Sequence, residues 1–361
     1  MDIYVFNPSV PAIIGVISIY KSIIWSLSYS GADEFELTVP ATEENLKYLK
    51  EGYYLIRDKD LTNTYMNHVM VISKMVIRIS VEDGWMITIS GKGLKSIVGD
   101  RIIWERISFS GNVENLIRKV ITDNLISSPI NARNISGFQL EAANGFPETT
   151  EMQLFGENIE EWLNEMCNEY KYGWDVVLQY NWPGPSPLKY YFRLYKGTDR
   201  TWDSDTPVVF SPKFDNLLSS EYTQQNLIYK NAARVGGEGE GADQVLEAVT
   251  VSDGRPRKEI YIDANSMTTN GVIITENEYR EMLKNYGKNQ LAQTAVNSQT
   301  LTANIVANGT YKYNEDYFLG DIVQIENDVG IKATSRITEV IEAEDENGTS
   351  IVTTFSEMEV S

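Results

Sequence analysis

The chain has 361 residues, of which 42% are hydrophobic and 23% charged, so it is long enough for two or three globular domains and too apolar to be mostly disordered. Its 51 Asp and Glu residues outnumber its 31 Lys and Arg residues, and the formal net charge of −20 repels nucleic acid and anionic lipid surfaces. Specific nucleic-acid binding is therefore not expected.

Cysteine and histidine occur once each, as Cys167 and His68. This excludes a disulfide framework and a zinc site made of these residue types, and a Cys–His catalytic pair would have to combine these two residues. The first residues, MDIYVF, lack the basic region of a secretory signal, and no apolar run approaches the ~20 residues that cross a bilayer. We expect synthesis in a reducing cytoplasm and no stable membrane insertion.

The first hundred residues predict mainly strands. Residues 3–6 are apolar, and residues 34–40 alternate polar and apolar side chains with a period of two. Thr42 is placed to cap a short helix over 43–50, which Gly52 ends. Three further strands are predicted at 53–57, 69–81 and 85–90. The turn sequence Glu82-Asp83-Gly84 connects the last two as a hairpin.

Residues 106–204 predict a helix-plus-hairpin module inserted between β-rich segments. Apolar side chains recur at helical spacing over 112–125 and again over 158–170. The second stripe includes Cys167, which favours a buried core thiol over a nucleophile. Residues 174–180 and 189–195 predict a hairpin across a proline-rich turn.

The C-terminal part predicts strands with one helix. Thr275 followed by Glu278 is a capping-box pattern, and the helix is expected to run towards Ala295. Its apolar face would consist of Tyr279, Met282, Leu283 and Tyr286. The acidic, glycine-rich stretch GGEGEG at 236–241 predicts a flexible loop.

A weak internal repeat relates the two β-rich parts. Gly52, an apolar strand, the segment ISKM at 72–75, a turn at 82–84 and a strand ending at Ser90 form the first unit. Gly320, an apolar strand, the segment ITEV at 337–340, a turn at 344–348 and a strand ending at Ser356 form the second. We infer two β-domains of one design, although chance similarity between hairpin units is the competing explanation.

No pattern in the chain predicts a catalytic, cofactor or metal site. The carboxylates are too numerous for one acid–base pair to be chosen, and no Gly-x-Ser-x-Gly elbow accompanies His68. The glycine-rich stretch lacks the Gly-Lys-Ser/Thr ending of a phosphate loop. Residues 58–60 and 344–347 are acidic but lack the Ca²⁺-loop pattern, and hairpin turns are the stronger interpretation. We predict no catalytic residue, no cofactor and no bound metal, and we do not expect an enzyme.

Several stretches resemble the siphovirus Gp37-like phage tail proteins, a family of baseplate-hub and tail-associated proteins. They cover essentially the whole chain in order: EFEL at 34–37 to NL at 45–46, ITISGKGL at 87–94, RIIW at 101–104, VFSPKFDNL at 209–217, YKNA at 229–232, GGEGEG at 236–241, and 313–323.

The resemblance implies a homotrimeric hub at the distal end of a phage tail, located in the virion and made in the host cytoplasm. Each subunit would supply two tail-tube-like β-barrel domains, so a trimer would adapt a six-fold tube to a three-fold tip. The implied partners are the tail-tube ring protein and a tip, fibre or lysin protein. DNA would pass through the channel unbound, which agrees with the acidic composition.

The predicted fold is therefore a β-rich α+β protein with two tube-like β-barrel domains and an inserted module. Residues 1–105 with 205–235 would form the first domain, 106–204 the module, and 236–361 the second domain with a helix near 275–297. Two alternatives remain open: a cell-wall (peptidoglycan) hydrolase of the tail tip, favoured by acidity and by the Trp and Tyr content, and a carbohydrate-binding adhesin with exposed aromatic side chains.

Overall fold

The computed structural model describes residues 1–62, 65–179, 188–225, 229–252, 254–265, 267, 275–295, 298–305, 309–327, 332–356 and 359–360. The chain forms two compact units: Met1–Ser220 together with Thr302–Ser361, and Glu221–Leu301. The domain boundaries given above stay a prediction.

The elements follow each other along the chain, and the first half contains β1 (Ile3–Asn7), β2 (Ala12–Ile17), β3 (Ser22–Ser28), β4 (Glu34–Pro40), α1 (Glu43–Tyr48), β5 (Tyr54–Arg57), β6 (Tyr65–Met66), β7 (Met70–Ser80), β8 (Gly84–Gly93), β9 (Ile107–Asn112), α2 (Val113–Ile121), β10 (Phe138–Leu140), β11 (Thr149–Leu154), α3 (Ile159–Tyr170), β12 (Gly173–Gln179) and β13 (Lys189–Tyr195). The second half contains β14 (Asp199–Arg200), β15 (Val209–Phe210), β16 (Leu217–Gln225), β17 (Ala232–Gly236), β18 (Leu246–Thr250), β19 (Glu259–Asp263), α4 (Glu276–Ala295), β20 (Ser298–Ile305), β21 (Ile322–Glu326), β22 (Lys332–Asp345), β23 (Gly348–Phe355) and β24 (Glu359–Val360).

One long sheet organises the first unit. Its strand order is β16-β20-β23-β22-β3-β4-β8-β7-β5-β1-β2, and the neighbouring strands from β23 to β2 pair antiparallel. The β-rich fold predicted from the sequence is confirmed. The described strands of this sheet form an open path rather than a closed barrel, so the two barrel domains stay a prediction.

The alternating pattern of the strands buries one face of this sheet. In β4, Phe35, Leu37 and Val39 point into the core while Glu34 and Glu36 are exposed. Successive strand residues point to opposite faces, so this pattern places the core on one side and polar groups on the other. Trp25 of β3 lies fully buried at the centre of that core.

Residues 106–204 contain the predicted helices and hairpin, while their division from the rest of the chain as an inserted module stays a prediction. The side chains of Asn112 and Asn158 accept backbone N–H bonds at the starts of α2 and α3. Strands β12 and β13 pair antiparallel, as predicted, and the proline-rich turn expected between them lies outside the described residues. The helices and the hairpin share one core with side chains of β1 and β5, which anchors the module to the large sheet.

The second unit, Glu221–Leu301, packs α4 on a three-stranded sheet of order β18-β17-β19. The predicted capping box is present, because Thr275 N and Oγ1 donate to Glu278 Oε2 at 2.7 and 2.8 Å. Tyr279 and Leu283 face the sheet as predicted. Met282 does not: its side chain is 44% exposed, because it lies about 100° around the helix from Leu283.

Leu283→Ala is expected to destabilise this unit by about 2–5 kcal/mol, because its fully buried side chain fills the space between α4 and the sheet. The neighbouring Met282→Ala changes the same helix at an exposed position and should cost less than about 0.5 kcal/mol. Amide hydrogen exchange over residues 232–263 measures both effects. Equal protection in the two variants would contradict this packing.

Candidate functional site

The large sheet contains two arrangements of strands that match in detail. In the first, β5, β7 and β8 form a meander that begins after Gly52, and in the second, β21, β22 and β23 do so after Gly320. Both glycines have positive φ angles, of 79° and 93°. The repeat inferred from the sequence therefore has a counterpart in the strand topology.

Hydrogen bonds fix the correspondence between the two arrangements. Gly52 N donates to Ile72 O at 2.8 Å, and Gly320 N donates to Ile337 O at 2.9 Å. A β-bulge follows each acceptor, between Ile72 and Lys74 in β7 and between Ile337 and Glu339 in β22. Because a bulge is a specific feature of strand register, Ile72 and Ile337 are structurally equivalent.

The two arrangements join through β22 and β3. Residues 339–344 of β22 pair antiparallel with residues 28–23 of β3, with Val340 opposite Leu27 and Glu342 opposite Trp25. Val340 and Leu27 are both fully buried at this joint. The pairing makes one continuous sheet out of segments from opposite ends of the chain.

The face of the sheet opposite the core carries polar and apolar side chains side by side. A hollow of about 520 Å³ on this face is lined by three carboxylates, two lysines, small hydroxyls and two isoleucines: Glu34, Glu36, Glu339, Lys74, Lys92, Ser26, Ser90, Ile24 and Ile341. Ser26 Oγ donates to Glu339 Oε1 at 2.7 Å. Its three carboxylates outnumber its two lysines, so the lining has a small negative excess, which favours repulsion of a polyanion over its binding.

A buried charge network holds the joint from the core side. The fully buried Arg57 guanidinium donates from Nε to Asp60 and from Nη1 to Glu342 Oε1 at 2.8 Å, and it lies 4.8 Å from the centre of the Trp25 ring. His68 Nδ1 lies 2.8 Å from Asp60 Oδ1. Burial by itself raises the pKa of Asp60, but the Arg57 charge and the His68 hydrogen bond outweigh it and hold that pKa at about 2.

This network predicts a loss of stability in acid. The pKa of Asp60 is lower in the folded chain than in the unfolded one, so its contribution is complete above about pH 4 and disappears as the pH falls towards 2. The difference in unfolding free energy between wild type and Asp60→Asn should shrink by about 2 kcal/mol between pH 5 and pH 2. Urea unfolding at each pH measures it, and a pH-independent difference would contradict the assignment.

The residues singled out in the sequence have structural positions. Cys167 is fully buried in the core of the inserted module, and burial raises the pKa of its thiol. His68 contacts Asp60 in the network described above. The structure therefore places the thiol in a core and the imidazole in a charge network.

Of the two acidic stretches considered as cation sites, 58–60 is a short 3-10 helix rather than the expected hairpin turn, and 344–347 is the end of β22 with the turn that follows it. Asp60 in 58–60 is engaged by Arg57 and His68, and Asp345 Oδ1 accepts from Asn347 N at 2.7 Å in the turn between β22 and β23. Among the described residues, no group of three or more His, Cys, Asp or Glu side chains is arranged to hold a metal ion. In the same part of the chain, no helix is long and apolar enough to span a bilayer.

Sequence reasoning did not identify the joint or its charge network. The signal that was available is the arginine that ends the otherwise apolar strand Tyr54–Arg57, since a charged side chain in a buried strand requires a buried partner. Its partner Glu342 lies 285 positions away, and this separation gives no local pattern.

The family described as Siphovirus ReqiPepy6 Gp37-like protein matches residues 2–355. The chain belongs to this family. The match confirms the resemblance drawn from the sequence stretches over essentially the whole length. No curated protein matches the chain significantly.

Solved structures share the fold of this Gp37-like protein. The tail protein from Neisseria meningitidis MC58 is 13% identical with a TM-score of 0.59, over 98% of this chain and 96% of its own. The 43 kDa tail protein of prophage MuSo2 from Shewanella oneidensis is 12% identical with a TM-score of 0.58, over 99% and 98%. The Francisella PdpA–VgrG complex contains a chain that is 11% identical with a TM-score of 0.50, over 99% and 57%.

The family and the fold together support a structural role in a phage tail. The descriptions of the family and of the two tail proteins name no enzyme.

Proposed function

We propose that this Gp37-like protein is the hub of a phage tail: a homotrimer at the distal tail tip, in the virion, that adapts a six-fold tail tube to a three-fold tip. Its role is structural and not enzymatic. The protein is made in the host cytoplasm and incorporated into the baseplate or tail tip.

The internal repeat carries this proposal. Each chain contributes two equivalent arrangements of strands, marked by the glycine hydrogen bonds and the bulges at Ile72 and Ile337, so three chains supply six. Cyclic symmetry is the usual solution for such assemblies. The first tube-like domain would contain β3, β4, β7 and β8, and the second β16, β20, β22 and β23, which moves residues 217–225 out of the predicted first domain.

The face of the sheet opposite the core is the surface that we assign to the DNA channel. Its glutamates, Glu34, Glu36 and Glu339, would repel phosphates and let DNA pass without binding. The tail-tube ring protein above and a tip, fibre or lysin protein below are the proposed partners. The PdpA–VgrG complex shows that a chain of this fold assembles with another protein.

The test is the native mass of the purified chain over a concentration series, followed by imaging. A species of about 123 kDa, three times the 40.9 kDa of one chain, with a central hole supports the hub. Immunogold labelling of isolated tails then locates it, with label at the distal end expected. Label along the whole tail, or none on tails, would overturn the proposed role.

The two alternative functions make different predictions in the same preparation. A cell-wall hydrolase would release peptidoglycan fragments and lose this activity when one carboxylate is changed. A carbohydrate-binding adhesin would lose glycan binding when one exposed tryptophan, such as Trp104 or Trp202, is replaced while assembly stays intact. We expect neither activity.

A further inference from the structure

The outer edge of β7 has backbone groups without a neighbouring strand. Strand β8 pairs with β7 along Met70–Ser80, but on the other side β5 reaches only Met70 and Val71. Among the described residues, no strand lies beside the outer edge of residues 74–80. An unpaired edge of this length is a template for a strand from another chain.

Three apolar side chains on this edge share the core face of the sheet but are exposed to solvent. Met75, Ile77 and Ile79 lie opposite Ile89, Ile87 and Trp85 of β8, on the face that buries Ile87 and Ile89. Their exposed fractions rise from 37% to 46% and 63% towards the hairpin tip, where Trp85 is 59% exposed. A contiguous exposed apolar stripe of this kind marks an interaction surface.

The internal repeat shows what covers the equivalent edge. Because Ile72 corresponds to Ile337, residues 74–79 of β7 correspond to residues 339–344 of β22, which are the residues that pair with β3. Val340, the counterpart of Met75, is fully buried at that joint. The edge of β22 is therefore paired with β3 of the same chain, whereas the equivalent edge of β7 has no partner strand among the described residues.

The order of strands identifies the covering strand. The first arrangement follows the sheet as β3-β4-β8-β7 and the second as β16-β20-β23-β22, so β16 occupies in the second the place that β3 occupies in the first. The joint within the chain is β22 to β3. If the same kind of joint also forms between chains, β7 takes the place of β22 and β16 takes the place of β3, so that β7 of one copy pairs with β16 of the next.

We propose that β7 residues 74–79 are the docking edge for β16 of a second copy of this chain. The inference rests on the proposed homotrimer and specifies its interface. Charge is compatible with this occupant, because β7 carries the exposed cations Lys74 and Arg78 while the one charged residue in the sequence of β16 is the acidic Glu221. The contact is head-to-tail, uses different edges on the two copies, and closes into a ring.

Replacing Ile77 and Ile79 together by lysine tests this edge. Both side chains are largely exposed in the single chain, so the fold should persist, whereas burial of two charges should weaken each interface roughly tenfold or more. Ile130→Lys, at a 44% exposed isoleucine of the inserted module, is the matched control. Native mass and hydrogen exchange of residues 74–80 are measured for wild type and both variants.

The expected result is a wild-type trimer in which alternate amides of residues 74–80 gain protection as the concentration rises. The double variant should remain a folded monomer with fast exchange, and the control should behave as wild type. A trimer whose residues 74–80 still exchange fast, or which the double variant leaves intact, overturns this interface while the hub stands. If the chain is a monomer at all concentrations, the proposal that a second copy docks on β7 is wrong. The immunogold labelling tests the proposed hub role separately.

Discussion

Replacing Arg57 by alanine is expected to lower the free energy of unfolding by about 3–5 kcal/mol. The substitution leaves Asp60 and Glu342 as buried carboxylates without their main cationic partner, and burial disfavours the charged forms of both. It also removes the guanidinium from the face of the buried Trp25 ring. Urea unfolding at pH 7 measures the change.

Lys59→Ala is the matched control for this network. Lys59 contacts the same carboxylate, Glu342, from a partly exposed position, so its loss should cost less than about 1 kcal/mol. If both variants lost the same free energy of unfolding, burial of the Arg57 guanidinium would not explain the effect of its replacement. The network would then be an ordinary surface cluster.

Trp174→Ala is expected to cost about 3–5 kcal/mol, because its fully buried ring packs against Phe192 in the core of the inserted module. Its Nε1 donates to Ser30 O at 3.1 Å and to Asn164 Oδ1 at 3.2 Å, so these acceptors also lose a donor. Thermal unfolding followed by tryptophan fluorescence measures the loss.

The exposed Trp202 provides the comparison for that measurement. Trp202→Ala removes the same side chain from the same unit but should change stability by less than about 0.5 kcal/mol. A large loss in the Trp202 variant together with a small loss in the Trp174 variant would contradict the described core.

Local patterns predicted the elements that local forces define. The caps at Thr42 and Thr275 were predicted because a side-chain oxygen satisfies nearby N–H groups, and this depends on only a few neighbouring residues. The β7–β8 hairpin was predicted for the same reason, since its turn has Gly84 at a φ of 70°.

Strand β3 was missed although Ile23, Trp25 and Leu27 recur with a period of two, because the apolar Ile24 between the first two of them interrupts the alternation with polar residues. Its place in the sheet depends on pairing with β22 at the other end of the chain, and no local spacing contains that information. The Met282 error has a related origin, because four apolar residues on one helix do not all fit on the stripe that faces the sheet.

Of the candidate site, the sequence predicted only that two similar β-units are present. Glycines and hairpin turns revealed two similar units, but the register that makes Ile72 equivalent to Ile337 is defined by hydrogen bonds to Gly52 and Gly320. No comparable sequence pattern identifies the carboxylates on the face opposite the core, since the chain has acidic residues throughout.

The pairing of β3 with β22 also constrains how the protein is made. The Ser26 hydroxyl and its acceptor Glu339 are 313 positions apart, so β3 leaves the ribosome on the order of tens of seconds before its partner exists. During that time the edge of β3 that pairs with β22 has no partner, and contacts of such long sequence separation form slowly. A nascent chain that does not yet contain β22, or a chain truncated before it, would therefore present an unpaired β3 edge to other chains, which favours aggregation.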